Sequence, residues 1–179
     1  MQAVLRQLCE KIEKEALQIT SAINAGSTFC STVFDNPIVI QKWHEQDRRL
    51  RGQKGIYVFI VRNALTLEYK QVFDWNETLK GAKFREYKKI DINDGECLYI
   101  GSCVSKSLYS RIKEHFSDSG SYYALKLGHP ARQELHNTVY CVAFPIKCNY
   151  TQQQYRILLP ALEKRLHDLL VPLCGSNRV

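Results

Sequence analysis

Arg111 and His115 stand four positions apart in Ser107-Leu-Tyr-Ser-Arg111-Ile-Lys-Glu-His115-Phe116, a run that reads as a helix, so both fall on one face. Upstream, two apolar, β-prone runs carry a tyrosine and a glycine at their edge. They are Gly55-Ile56-Tyr57, leading into Val58-Phe59-Ile60-Val61, and Tyr99-Ile100-Gly101, following Cys97-Leu98. Downstream, Glu163 lies in Pro160-Ala-Leu-Glu-Lys-Arg-Leu-His-Asp-Leu-Leu, at the border of a leucine stripe. These side chains suit phosphodiester cleavage. That reaction needs an activated water, charge stabilisation on the phosphoryl oxygens and help for the leaving oxygen. Arginine suits the phosphoryl oxygens because its fork matches their geometry and stays charged. A carboxylate that holds a divalent cation serves the other charge-stabilising needs. Tyrosine acts as a general base only where its high pKa is lowered, for instance by nearby cations.

Each residue also has a plainer role. Arg111 can pair with Glu114 or Asp118, with His115 as a surface residue. Glu163 can be a first-turn glutamate favoured by the helix dipole after Pro160 and paired with His167. Asn177 can orient a phosphate or a tyrosine, or cap a turn near the end of the chain.

The elements that must position these groups are legible in outline. Residues 2–25 read as a helix, with Val4, Leu5, Leu8, Ile12, Ala16 and Ile19 on a 3.6-residue period. Residues 29–40 are mixed and interrupted by Pro37, and a short helix is expected around 41–50. From residue 55 the texture changes. Strands are expected at 55–62, 65–72, 96–101 and 137–145, with Asn93-Asp94-Gly95 as a turn before the third. Helices are expected at 107–117 and from about 151 to 170, where Pro160 inside the span can divide the last in two, and 122–127 reads as helix or strand, with helix favoured. Leu108, Ile112 and Phe116 would hold the first of these to the sheet. The order is that of an α+β fold, with helices packed on a small antiparallel sheet.

Composition bounds the function. The chain has 179 residues, 45% hydrophobic and 24% charged, as expected of one water-soluble domain. No apolar run approaches membrane-spanning length, and acids and bases come too early for a signal peptide, so a cytoplasmic protein with no membrane partner is expected. The seven cysteines form no C-x-x-C pair. A zinc site built with His115 or His136 has no spacing to support it, and free, mostly buried thiols are expected. The net charge is +7. Residues 1–50 hold six bases and six acids, whereas residues 51–179 hold nineteen bases and twelve acids. The whole excess therefore sits in the second segment, which suggests an anionic partner, nucleic acid first.

In this order, Gly55-Ile-Tyr57, Tyr99-Ile-Gly101, Arg111, His115, Glu163 and Asn177 resemble the GIY-YIG endonuclease family, from Gly55 to about Asn177. The resemblance implies an about three-stranded antiparallel sheet flanked by helices. Residues 51–179 would form the nuclease-like domain and residues 1–50 a helical N-terminal extension. It implies a divalent-metal-dependent DNA endonuclease, restriction-like or stand-alone. Tyr57 would be the general base or water-orienting group, with Tyr99 hydrogen-bonding in the site. Arg111 would hold the scissile phosphate, with His115 assisting. Glu163 would be the single protein ligand of Mg²⁺ or Mn²⁺, and Asn177 would brace the site.

Three features depart from the family pattern. About forty residues separate the two motifs, where a hairpin of roughly ten is usual. The surplus, at about 62–95, is an insertion. Its Lys80, Lys83, Arg85, Lys88 and Lys89, interleaved with Phe84 and Tyr87, are candidate DNA contacts, or else one side of a solvated hairpin. Lys54 and Lys106, beside the two motifs, complete the candidate set. Ser102 stands where many members have a lysine, and the stretch from Pro172 to Asn177 is longer than the commonest form. The expected partner is double-stranded DNA, and a second copy of the chain is also a candidate. The alternative is a catalytically weak nucleic-acid-binding module that keeps the nuclease fold.

Overall fold

The computed structural model describes residues 2–23, 33–41, 43, 48–63, 65–68, 89–92, 95–118, 124–147 and 150–174. In chain order the elements are α1 (Gln2–Ile23), β1 (Ile38–Ile40), β2 (Gly55–Val61), β3 (Leu65–Glu68), β4 (Lys89–Ile92), β5 (Cys97–Cys103), α2 (Leu108–Phe116), α3 (Gln133–Thr138), β6 (Val139–Pro145) and α4 (Gln152–Leu170). Single 3₁₀ turns occur at Arg48–Leu50 and Pro130–Arg132. The fold is α+β.

The main sheet has four antiparallel strands in the order β1-β6-β2-β5. This corrects the expectation of about three. The extra strand is Ile38-Val39-Ile40, which pairs with β6 from Ile38↔Ala143 to Ile40↔Cys141. Pro37 hid it from the sequence reading. A proline directly before an edge strand costs no ladder bond, so the β-branched run after it is free to pair.

Both faces of the sheet are covered, which is why every residue of β2 is buried. Tyr57, Phe59 and Val61 face α2 and pack with Leu98, Leu108, Ile112 and Phe116. Ile56, Val58 and Ile60 face the other way, onto Leu8, Ile12 and Ala16 of α1 and Leu158, Leu162 and Leu166 of α4. Each of these large side chains contributes roughly 1.5–3 kcal/mol by leaving water. Arg165 Nε also donates to Glu15 Oε2 at 2.8 Å, tying α4 to α1.

Three helical expectations change. Helix α4 is continuous through Pro160. Pro160 is exposed, so water can take the carbonyl that its missing N–H leaves unpaired. Thr151 and Gln154 close a capping box at the start of this helix, and Val171 ends it in the left-handed region at φ 45°. Residues 124–127 are not helical. They hook onto the end of α2, where Leu127 N–H donates to His115 O at 2.8 Å and Gly128 N–H to Ser117 O at 3.3 Å. Of the short helix expected around 41–50, the described residues show the 3₁₀ turn alone.

Between β2 and β5 the chain leaves the sheet. β3 and β4 form a separate two-stranded antiparallel ribbon, from Leu65↔Ile92 to Glu68↔Lys89. Strand β5 carries a bulge at Leu98, where Phe59 pairs with Tyr99 and Ile60 with Cys97. The chain end uses that irregularity: Leu173 N–H donates to Cys97 O at 3.0 Å and Cys174 N–H to Leu98 O at 2.9 Å. Cys9, Cys97, Cys103, Cys141 and Cys174 are free thiols, the last three buried. Cys30 and Cys148 lie outside the described residues. No helix among the described residues is long and apolar enough to cross a membrane.

Candidate active site

The two glycine-tyrosine motifs lie side by side because β2 and β5 are paired strands, with Tyr57 directly opposite Gly101. Each glycine is required by contact. A Cβ on Gly55 would lie 2.1 Å from the backbone oxygen of Phe144, on the neighbouring strand β6. A Cβ on Gly101 would lie 2.2 Å from the Tyr57 hydroxyl oxygen. The Tyr57 ring thus runs across the bare backbone of Gly101. Its hydroxyl lies over β5, the strand at the margin of the sheet. Tyr99 stacks beside it, ring centroids 6.2 Å apart.

Helix α2 brings the cation and the imidazole. Ser107 caps it, its side chain accepting from Ser110 N–H, and Leu108, Ile112 and Phe116 seat it on the sheet. This places Arg111 at the rim and His115 underneath. Arg111 Nε donates to the Tyr57 hydroxyl at 3.3 Å, and its Nη1 donates to Glu114 Oε2 at 2.7 Å. The expected pair with Glu114 therefore forms, and the same guanidinium also reaches the tyrosine. Lys106 closes on the other oxygen of Glu114. Burial opposes ionisation of Glu114, but hydrogen bonds from Lys106 and Arg111 outweigh it and lower the pKa of the carboxyl.

His115 is buried, not at the surface. Its ring lies 4.8 Å from that of Tyr99 and 5.2 Å from those of Tyr57 and Phe59. Burial, and then the Arg111 charge, push its pKa well below the usual histidine range, so the ring is neutral. Its hydrogen bonds define which nitrogen carries the proton. Nδ1 accepts from Leu125 N–H at 3.0 Å. The remaining nitrogen, Nε2, must then be the protonated one, and it lies 3.0 Å from the Tyr57 hydroxyl as a donor.

The Tyr57 oxygen thus receives two N–H donors, from Arg111 and His115, and its own proton is directed elsewhere. The sequence reading required cations to lower its pKa. The structure reverses the balance. Burial comes first and raises the pKa well above the ordinary value, Tyr99 and Cys103 add to the rise, and Arg111 offsets part of it. Tyr99 is raised too, chiefly by burial and against the Arg111 charge. At rest both tyrosines are phenols.

Glu163 comes from the opposite side of the sheet, on α4. It is half-buried, and its Oε2 accepts from Ser102 Oγ at 2.5 Å. Its charge acts on Tyr99 and Cys103, so it sits at the same margin as the tyrosines. Among the described residues no three His, Cys, Asp or Glu side chains gather to hold a metal. One hard carboxylate oxygen beside a hydrogen-bonded partner still fits a cation such as Mg²⁺, which keeps most of its waters and takes one or two protein carboxylates.

Tyr57, Tyr99, Arg111 and His115 therefore converge, with Glu163 reaching the same strand from behind. Asn177, Lys83, Arg85 and Lys88 lie outside the described residues, and Lys89 opens β4 of the ribbon. Lys54 Nζ donates to the carbonyls of Ser105 at 2.8 Å and Lys106 at 3.0 Å, bracing the loop before α2. Sequence reasoning missed the Ser102–Glu163 bond and the Leu125 amide. The first is signalled by the position of Ser102 next to Gly101, the second by no pattern in the sequence. Comparison with known proteins returns no match, whether to a family model, a curated protein or a solved structure.

Proposed function

We propose that this chain is a divalent-cation-dependent DNA endonuclease of the GIY-YIG type. The observation that carries this reading is the convergence of Arg111 Nε and His115 Nε2 on the Tyr57 hydroxyl, at 3.3 Å and 3.0 Å, where Tyr57 crosses Gly101. Support also comes from Glu163, which faces the same strand through Ser102. Double-stranded DNA is the proposed substrate, drawn by the basic excess of residues 51–179.

In this reading Arg111 exchanges its bond to Glu114 for the scissile phosphate, while Nε keeps the Tyr57 oxygen in place. Glu114, itself held by Lys106, keeps the guanidinium at the rim until then. His115 Nε2–H fixes the angle of the Tyr57 C–O bond and stabilises the phenolate when it forms. Tyr57 accepts the proton of the attacking water in that ionised form. Tyr99 holds the water against it. Glu163 would hold Mg²⁺ or Mn²⁺, which when bound supplies Lewis-acid stabilisation of the phosphoryl and leaving oxygens.

The test is nicking of supercoiled plasmid in Mg²⁺ and in Mn²⁺. The wild type nicks, and Arg111→Ala and Glu163→Ala each lose about 10²- to 10³-fold. A second reading, a catalytically weak nucleic-acid-binding module, is favoured by the raised pKa of Tyr57. It wins if wild type and both variants are equally inert while the wild type binds DNA with a steep salt dependence.

A further inference from the structure

Arg132 is the largest fully buried side chain among the described residues, and the chemistry above does not use it. Burial lowers its pKa, so the fold carries this guanidinium at a cost that an apolar residue would avoid. Its Nη1 donates to Leu125 O. Leu125 is therefore gripped from both sides: its carbonyl by Arg132, its amide by His115 Nδ1 at 3.0 Å. The segment 124–127 has no helix or strand to fix its amides. What aims the Leu125 N–H is the anchoring of its neighbours: Arg132 on one side and the bond from Leu127 N–H to His115 O on the other.

We infer that Arg132 is a positioning residue for the site. By clamping the Leu125 carbonyl it aims the Leu125 amide at His115 Nδ1, and so keeps the proton of the imidazole on Nε2, facing Tyr57. The chain of contacts is Arg132 Nη1–H to Leu125 O, Leu125 N–H to His115 Nδ1, and His115 Nε2–H to the Tyr57 hydroxyl. Without the clamp, Nδ1 loses its fixed donor and the other tautomer becomes accessible. An Nδ1–H imidazole presents a lone pair to Tyr57 instead of a proton, which turns the tyrosine's own O–H inward and away from any water at the margin. The catalytic consequence rests on the nuclease reading. The tautomer does not, so the two can fail separately.

The experiment is nitrogen-15 NMR of His115 in the full chain. In the wild type we expect one neutral tautomer, protonated at Nε2, and a scalar coupling across the hydrogen bond between the Leu125 amide nitrogen and His115 Nδ1. A wild-type ring protonated at Nδ1, or no such coupling, overturns the inference without any variant. In Arg132→Met, with the fold confirmed by circular dichroism, the ring signals move toward a mixture of tautomers, and Arg132→Lys recovers the Nε2–H form in part. An unchanged tautomer in folded Arg132→Met also overturns it. Plasmid nicking by Arg132→Met falls about 10- to 100-fold, the order seen when a partner that orients a metal-bound histidine is removed. An inert wild type with the expected tautomer shift would reject the nuclease reading and leave the clamp standing.

Discussion

The Tyr57 hydroxyl oxygen occupies the space that a side chain on Gly101 would fill: a Cβ there would lie 2.2 Å from that oxygen and 2.4 Å from the ring carbon that bears it. Gly101→Ala must therefore displace Tyr57. The variant should fold with a loss of about 1–3 kcal/mol, the usual range for overpacking. Nicking should drop about 10²-fold, as for a misplacement of about 1 Å. In a Tyr57→Ala background the same substitution should cost little stability. Equal costs in the two backgrounds, read from urea titrations, would show that the glycine is not there for the tyrosine.

The raised pKa of Tyr57 predicts how cleavage depends on pH. A phenol titrating well above 10 is almost wholly protonated at neutral pH, so the phenolate fraction grows about tenfold per pH unit. The nicking rate should rise with that slope between about pH 7 and 9, and Tyr57→Phe should lose the slope-bearing activity. A flat wild-type profile would mean that neutral Tyr57 only orients water.

His115 predicts the opposite end of the pH scale. Its folded pKa is depressed by burial and by Arg111, whereas the unfolded ring titrates near 6.5. Above pH 6.5 both states are neutral and its contribution is fully present. As pH falls below 6.5 the unfolded chain takes up the proton first, so stability drops by up to about 1.4 kcal/mol per pH unit. Glu114, depressed by Lys106 and Arg111 despite its burial, contributes above the ordinary carboxylate range and loses that contribution only at lower pH. Urea titrations between pH 6.5 and 5 should thus show a steeper decline for the wild type than for His115→Gln. Parallel curves would contradict the buried neutral ring.

Val171 ends α4 in the left-handed region at φ 45° and is exposed. A β-branched side chain is strained there, and glycine is not. Val171→Gly should stabilise the fold by about 1 kcal/mol and raise the melting temperature by roughly 2–4 °C. A lower melting temperature would mean that the Val171 methyls contribute more packing than their exposure implies.

What could be read from the chain beforehand was what apolar runs and periodicity control. Strands β2, β5 and β6 follow from continuous apolar, β-prone runs and helices α1, α2 and α4 from the 3.6-residue stripe, because these apolar surfaces must be buried whatever the details. Elements decided by single tertiary contacts were not legible. Ala124–Leu127 has helical propensity, yet its amides are claimed by α2, and Leu125 turns toward His115. The six-residue α3 is too short for a period to show. The site follows the same division. The order of Tyr57, Tyr99, Arg111, His115 and Glu163 is legible because it is linear. The burial of His115 and the tautomer that follows depend on a backbone amide that no residue type announces.

The bulge at Leu98 lets two successive carbonyls of β5 receive the amides of Leu173 and Cys174. The sheet is thereby sealed along part of one flank by the chain's own last described residues. Removing residues 172–174 would strip both acceptors of their partners and leave a raw margin able to recruit a strand from another molecule. Such a truncated protein would trade a sealed flank for one that grows by adding its neighbours edge to edge.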